Sequence, residues 1–243
     1  MLFRSMADGE HILPLASSQD HKRLQDGDAG PNTGGMGAYS PLPWAPAGLV
    51  EQVLETVLQP TVDELRHQGK PFAGLLYAGL ALTERGVRVI EFNARFGDPE
   101  TEVVLPLLRT PLAGLLRRAA NGTLVDQEPL RWHPGAAVTV VMAAHNYPEP
   151  PRKGDAITGV PAAEELDGVT VYQAGTAQDG ADGLVTAGGR VLAVTARADD
   201  LARARSLAYA AVGKVSFDGA HFRTDIAAAA AQAHPADPAR SVG

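Results

Sequence analysis

Apolar and polar positions alternate from the start of the chain, and residues 2–6 and 11–15 read as two strands joined through the hairpin signal Asp8-Gly9. Such a start fits either a short surface hairpin or a chain that enters partway through a larger sheet. From residue 49 the period changes. Leu49, Val50, Val53, Leu54, Val57, Leu58, Val62 and Leu65 recur at helical spacing, with Pro60 expected to kink or split the helix and Gly69 to end it. Residues 72–83 form a long apolar strand, Glu84-Arg85-Gly86 a short turn, and 87–93 a returning strand with Val87, Val89, Glu91 and Asn93 on one face. Pro99 suits a first helical position with Asp98 as its cap. Leu112, Leu115, Leu116 and Ala119 mark a further helix that stops at Asn121-Gly122.

A second region begins near Trp132-His133-Pro134. Residues 136–144 and 169–174 read as strands, 184–187 and 191–195 as a hairpin across Gly188-Gly189, and 199–214 as a helix with Leu207, Ala208, Ala211 and Val212 on one face. The pattern predicts an α+β protein, mainly antiparallel, divided into 1–131, 132–227 and a tail at 228–243. The alanine run from 227 favours helix, and disorder is expected past Pro235.

Composition narrows the chemistry. The 243 residues contain no cysteine, which excludes disulfides, thiolate metal sites and a cysteine nucleophile. Twenty-one basic against 28 acidic side chains give a net charge of −7, the wrong sign for a nucleic-acid partner. No apolar run approaches membrane-spanning length, and the amino terminus lacks a signal-peptide core, so a cytoplasmic protein with no membrane partner is expected.

Three segments carry candidate chemistry. In the string Glu91-Phe92-Asn93-Ala94-Arg95-Phe96-Gly97-Asp98-Pro99-Glu100, a carboxylate and an amide oxygen two residues apart share a strand face. Hard divalent cations take one or two such oxygens from protein and the rest from phosphate and water, and a guanidinium such as Arg95 can hold a transferring phosphoryl group. Gln19-Asp20-His21-Lys22-Arg23 mixes proton-transfer and phosphate-binding types within five residues. It precedes the glycine-rich stretch from Gly30 to Pro41, whose backbone amides could approach an anion. That stretch is neither a phosphate-binding P-loop nor a dinucleotide fingerprint.

QDHKR, GPNTGGMGAYSP and EFNARFGDPET, in this order, resemble the phosphoribosylamine–glycine ligase family, and the later AGT, TAGGRVLAVTA and FRTDI are similar to that family's carboxy-terminal domain. The resemblance runs from about residue 8 to about 226. It implies the second lobe of an ATP-grasp fold followed by a small, mostly-β carboxy-terminal domain. It also implies ATP-dependent ligation of glycine to 5-phosphoribosylamine through glycyl phosphate, yielding ADP and phosphate. By the same resemblance Glu91 and Asn93 would bind Mg²⁺ or Mn²⁺, and Arg95 and Asp98 would serve catalysis. Asp20, His21, Lys22, Arg23, Asn32, Thr33, Gly34 and Gly35 would line the substrate and phosphate side. The family's amino-terminal domain and first ATP-grasp lobe are not in this sequence, so the chain is expected to be inactive alone, with that half supplied as a separate chain. Another ATP-grasp carboxylate–amine ligase, or a non-catalytic binding fragment, remain the alternatives.

Overall fold

The computed structural model describes residues 2–180 and 183–232. Its first unit is a four-stranded antiparallel sheet in which residues 2–8 lie between residues 12–14 and 73–83, with 86–93 at the far edge. In chain order the strands around it are β1 (Leu2–Asp8), β2 (Ile12–Pro14), β3 (Gln19–Asp20), β4 (Arg23–Gln25), β5 (Ala29–Asn32), β6 (Gly37–Ser40), β7 (Ala73–Thr83) and β8 (Gly86–Asn93). The β1–β2 turn closes because the Asp8 carboxylate accepts the backbone amides of Glu10 (3.1 Å) and His11 (2.7 Å), and that of Leu124 across the fold (2.9 Å).

Helices α1 (Leu49–Val53) and α2 (Gln59–His67) are joined by a π-helical turn over Leu54–Leu58. Pro60 therefore does not split the helix. The wider turn just before it absorbs the residue that lacks an amide hydrogen. Leu49, Val53, Leu58 and Val62 bury one face of this helix against Phe3, Ala7, Leu76, Ala78 and Leu80. The short α3 (Thr101–Val104) and then α4 (Leu112–Asn121) cover the other face, where Met6, Val103, Leu115 and Ala119 meet.

The remaining elements are β9 (Ala136–Ala143), β10 (Ala156–Ile157), α5 (Val160–Glu164), β11 (Val169–Gln173), β12 (Thr176–Asp179), β13 (Gly183–Thr186), β14 (Arg190–Ala198), α6 (Leu201–Val212) and α7 (Ala228–Gln232). A five-stranded sheet of order β11-β14-β9-β6-β3 draws strands from both sides of residue 132. All eight residues of β9 are buried. Val138, Val140 and Met142 pack toward α6, while Ala137 joins the cluster of Met6 and Val103. A strand covered on both faces must read as an unbroken apolar run, and this one does.

Three expectations are corrected. Residues 184–187 and 191–195 do not form a hairpin, because β13 pairs with β10 and β12 whereas β14 pairs with β11 and β9. Gly188-Gly189 instead carries the chain between sheets. Asp98 does not cap a helix: residues 98–100 form a turn, α3 begins at Thr101, and the Asp98 carboxylate pairs with Arg190 at 3.0 Å. Val87 and Val89 do not share a face with Glu91 and Asn93. A bulge at Ile90 reverses the alternation, since Leu80 faces Val89 but the next residue back, Gly79, faces Glu91. The alanine run forms α7, and the disorder expected past Pro235 lies outside the described residues. Among the described residues no helix is long and apolar enough to cross a membrane.

Candidate functional site

Register places the metal-type residues. Arg4, Tyr77 and Asn93 stand in one cross-strand rank, and Gly79 and Glu91 in the next. Opposed residues on neighbouring strands share a face, so Glu91 and Asn93 point to the same side, away from α1 and α2. Gly79 leaves the room: a Cβ there would stand 3.0 Å from Glu91 Cγ. The Glu91 carboxylate is about half exposed and lies 3.5 Å from Lys22 Nζ.

A cavity of about 550 Å³ opens at this point, lined by Asp20, Lys22, Arg23, Asp28, Asn32 and Glu91 over a floor that includes Gly79 and Leu80. Behind it lies a buried ionic core. Arg4 meets Glu100 at 2.7 Å with both side chains at most 3% exposed, donates to Ser18 Oγ at 2.7 Å, and sits 5.1 Å over the Tyr77 ring. Burial pushes the Asp20 carboxyl up to about 8, with the charge of Glu100 acting in the same direction, and its Oδ1 is enclosed without a hydrogen-bond partner. Burial likewise raises Glu102 to about 7.

Of the residues singled out from sequence, Asp20, Lys22, Arg23, Asn32 and Glu91 line this cavity, and Asn93 shares the Glu91 face. His21 turns instead toward the carboxy-terminal segment, where the amide of Ala227 lies 3.4 Å from Nε2. Burial, together with the nearby Arg223, lowers it to about 4. Arg95 is exposed and donates to the carbonyl of Phe96 (2.9 Å), outside the cavity wall. The glycine-rich loop does not offer its amides to an anion. Thr33 donates to Lys22 O, Gly34 to Tyr147 Oη, Gly35 to Thr33 Oγ1 and Met36 to His21 O. Arg190 then fixes the carbonyls of Gly34 and Asp98, each at 2.9 Å. The loop is thus a bracket for the cavity. Sequence reasoning missed Arg4, Glu100, Asp28, Arg190 and Arg223; the FRTDI stretch (222–226) was the signal for the last.

Among the described residues no cluster of three or more histidine, aspartate or glutamate side chains could hold a metal unaided. Two oxygen donors on one face, Glu91 exposed and Asn93 partly so, suit a hard divalent cation that completes its shell with phosphate and water.

The fold is that of ATP-grasp proteins. The backbone superposes on Rhizobium etli pyruvate carboxylase with a TM-score of 0.65 at 14% identity over 91% of this chain and 21% of that one, a likeness of fold. The model for the phosphoribosylglycinamide synthetase ATP-grasp (A) domain matches residues 1–101 and that for its C domain matches residues 137–229, and the chain belongs to this phosphoribosylamine–glycine ligase family. The Streptomyces coelicolor phosphoribosylamine–glycine ligase is 63% identical over 231 residues, covering 94% of this chain and 55% of its own. The crystal structure of the Thermotoga maritima phosphoribosylamine–glycine ligase matches at a TM-score of 0.82 and 35% identity, over 93% of this chain and 55% of that one. The chain spans about half the length of the relatives it matches.

Proposed function

We propose that the cavity is the metal-and-substrate half of a phosphoribosylamine–glycine ligase site. The observation that supports it most is the placing of Glu91 and Asn93 on one open face, beside Lys22 and Arg23. Glu91 and Asn93 would hold Mg²⁺ or Mn²⁺, which when bound neutralises phosphate charge. Lys22 then exchanges its contact with Glu91 for one with a phosphate, and Arg95 gives up the Phe96 carbonyl for the same purpose. Asp20, Asn32 and the bracket of Thr33, Gly34 and Gly35 shape the substrate side, with His21 and Asp98 holding that bracket in place.

In the reaction a glycine carboxylate oxygen attacks the γ-phosphorus of ATP, giving glycyl phosphate and ADP. The amine nitrogen of 5-phosphoribosylamine then attacks the carbonyl carbon, expels phosphate, and loses a proton to form glycinamide ribonucleotide. A free carboxylate is inert toward amines, so the protein's task is positioning and charge neutralisation. The seam proposed near residue 132 lies beyond every residue that lines the cavity, while Arg190 and Arg223, which hold the loop and the Arg23 carbonyl, follow it.

The reading requires the part of the relatives' length that this chain does not cover. ADP release from ATP, glycine and phosphoribosylamine should be absent with the chain alone. It should appear when a polypeptide covering the remaining length is supplied, and fall at least about tenfold with Glu91→Gln, the scale set by losing one charged contact. Turnover by the isolated chain at a full ligase rate, or a Glu91→Gln variant with unchanged turnover, would overturn it.

A further inference from the structure

Two lining residues of the cavity, Arg23 and Asp28, are held by Arg223, some 200 positions away in sequence. Arg223 is 1% exposed, and its guanidinium engages both oxygens of Asp225 at 2.7 Å, Oδ1 of Asp28 at 2.7 Å and the carbonyl of Arg23 at 3.1 Å. Asp225 Oδ2 in turn accepts the amide of Gly27 at 2.8 Å, and Asp26 accepts both the amide and the hydroxyl of Thr224. Arg223, Thr224 and Asp225 together thereby tie down the Asp26–Asp28 turn between β4 and β5, with Arg223 holding its Asp28 end.

Asp28 is the residue this arrangement controls. It adopts a left-handed conformation, φ +54°, which costs an aspartate free energy unless its surroundings hold it there. Arg223 binds Oδ1. His21 lies 4.0 Å from the same oxygen, no hydrogen bond joins Oδ2 to another of the described residues, and the side chain lines the cavity at 69% exposure. A planar fork meeting two carboxylates and a carbonyl at once is a geometry that lysine, a point charge, does not reproduce.

We propose that Arg223 is a positioning residue for the cavity: it sets the β4–β5 ribbon and holds Asp28 with one carboxylate oxygen presented to the hydroxyl or amine hydrogens of an aminosugar-phosphate substrate. This rests on the cavity being the substrate site proposed above. The carboxy-terminal region thus contributes to substrate recognition through an arginine that touches no substrate.

The test uses the full 243-residue chain, with Arg223→Lys, Asp28→Asn and the double variant. Amide hydrogen exchange is read over residues 23–32, and ribose 5-phosphate, a stable sugar phosphate with a hydroxyl where the substrate has its amine, is titrated by calorimetry. Arg223→Lys should speed exchange about tenfold in 23–32 while leaving β9 and β14 unchanged. Each single substitution should weaken ribose 5-phosphate about tenfold, and the double variant no further than either alone. Should Arg223→Lys not fold, Asp28→Asn, which changes an exposed side chain, carries the same comparison of exchange and binding. Unchanged exchange in 23–32, or losses of affinity that simply add, overturn the proposal. A parent chain that binds no ribose 5-phosphate refutes the substrate assignment of the cavity, while the exchange result still decides whether Arg223 sets the ribbon.

Discussion

Asp20→Asn is the substitution whose effect follows most directly from the structure. The carboxyl is displaced from an ordinary value near 3.8 to about 8, by burial first and by the charge of Glu100 second. Between these two pH values the folded state binds the proton and the unfolded state does not, so stability falls as pH rises from 4 to 8. At about 1.4 kcal/mol per pH unit the ceiling is about 6 kcal/mol. Lys22, Arg190 and Arg4 oppose the shift, and water can reach an ionised group, so about 2–3 kcal/mol is the working expectation. Asparagine keeps the shape and does not titrate. Urea unfolding of both proteins at pH 4, 6, 8 and 9 should show no difference at pH 4 and an advantage for the variant that grows to about 2–3 kcal/mol by pH 8–9. His21, lowered to about 4, acts with the opposite sign: it adds stability that is present above about 6.5 and lost as pH falls toward 4. It is common to both proteins and cancels in the difference. A flat difference, or a variant progressively less stable with rising pH, would show that Asp20 is ionised and favourably paired in the fold, and the reasoning would fail.

Two further predictions concern the scaffold. Gly37→Ala would bring a Cβ to 2.6 Å from the carbonyl of Thr139, where β6 pairs with β9. The clash should cost about 1–3 kcal/mol, and cross-peaks between Tyr39 and Val138 should weaken in NMR spectra; a variant with parental stability would contradict the register. Leu192→Ala, at a fully buried position of β14 opposite Met142, should cost about 2–5 kcal/mol. A fall in Tm below about 2 °C, where about 2–4 °C is expected per kcal/mol, would mean that the core closes around the gap.

Local elements were legible because each is written locally. Asp8-Gly9 marks the first turn, the spacing from Leu49 to Leu65 marks the helix, and the run of residues 136–144 marks a strand buried on both faces. The errors arose where the deciding partner is distant in sequence. Nothing in residues 184–195 says that β14 pairs with β9 rather than with β13, and nothing around Ile90 announces a bulge. The face shared by Glu91 and Asn93 was readable from their spacing of two. Arg223 and Asp28 were not, since their meeting depends on segments about 200 residues apart. The glycine-rich loop was recognised as special, but its amides turn inward to Tyr147, Thr33 and the backbone of residues 21–22.

The central claim, that Glu91 and Asn93 grip a divalent cation against a polyphosphate, is tested most directly by paramagnetic broadening. With the isotopically labelled chain, Mn²⁺ and ATP should together broaden the resonances of Glu91, Asn93 and Gly79 first and those of Lys22 and Asp20 next, while Glu91→Gln should abolish the effect. Broadening centred on another surface, or the same pattern in the Glu91→Gln protein, would contradict it.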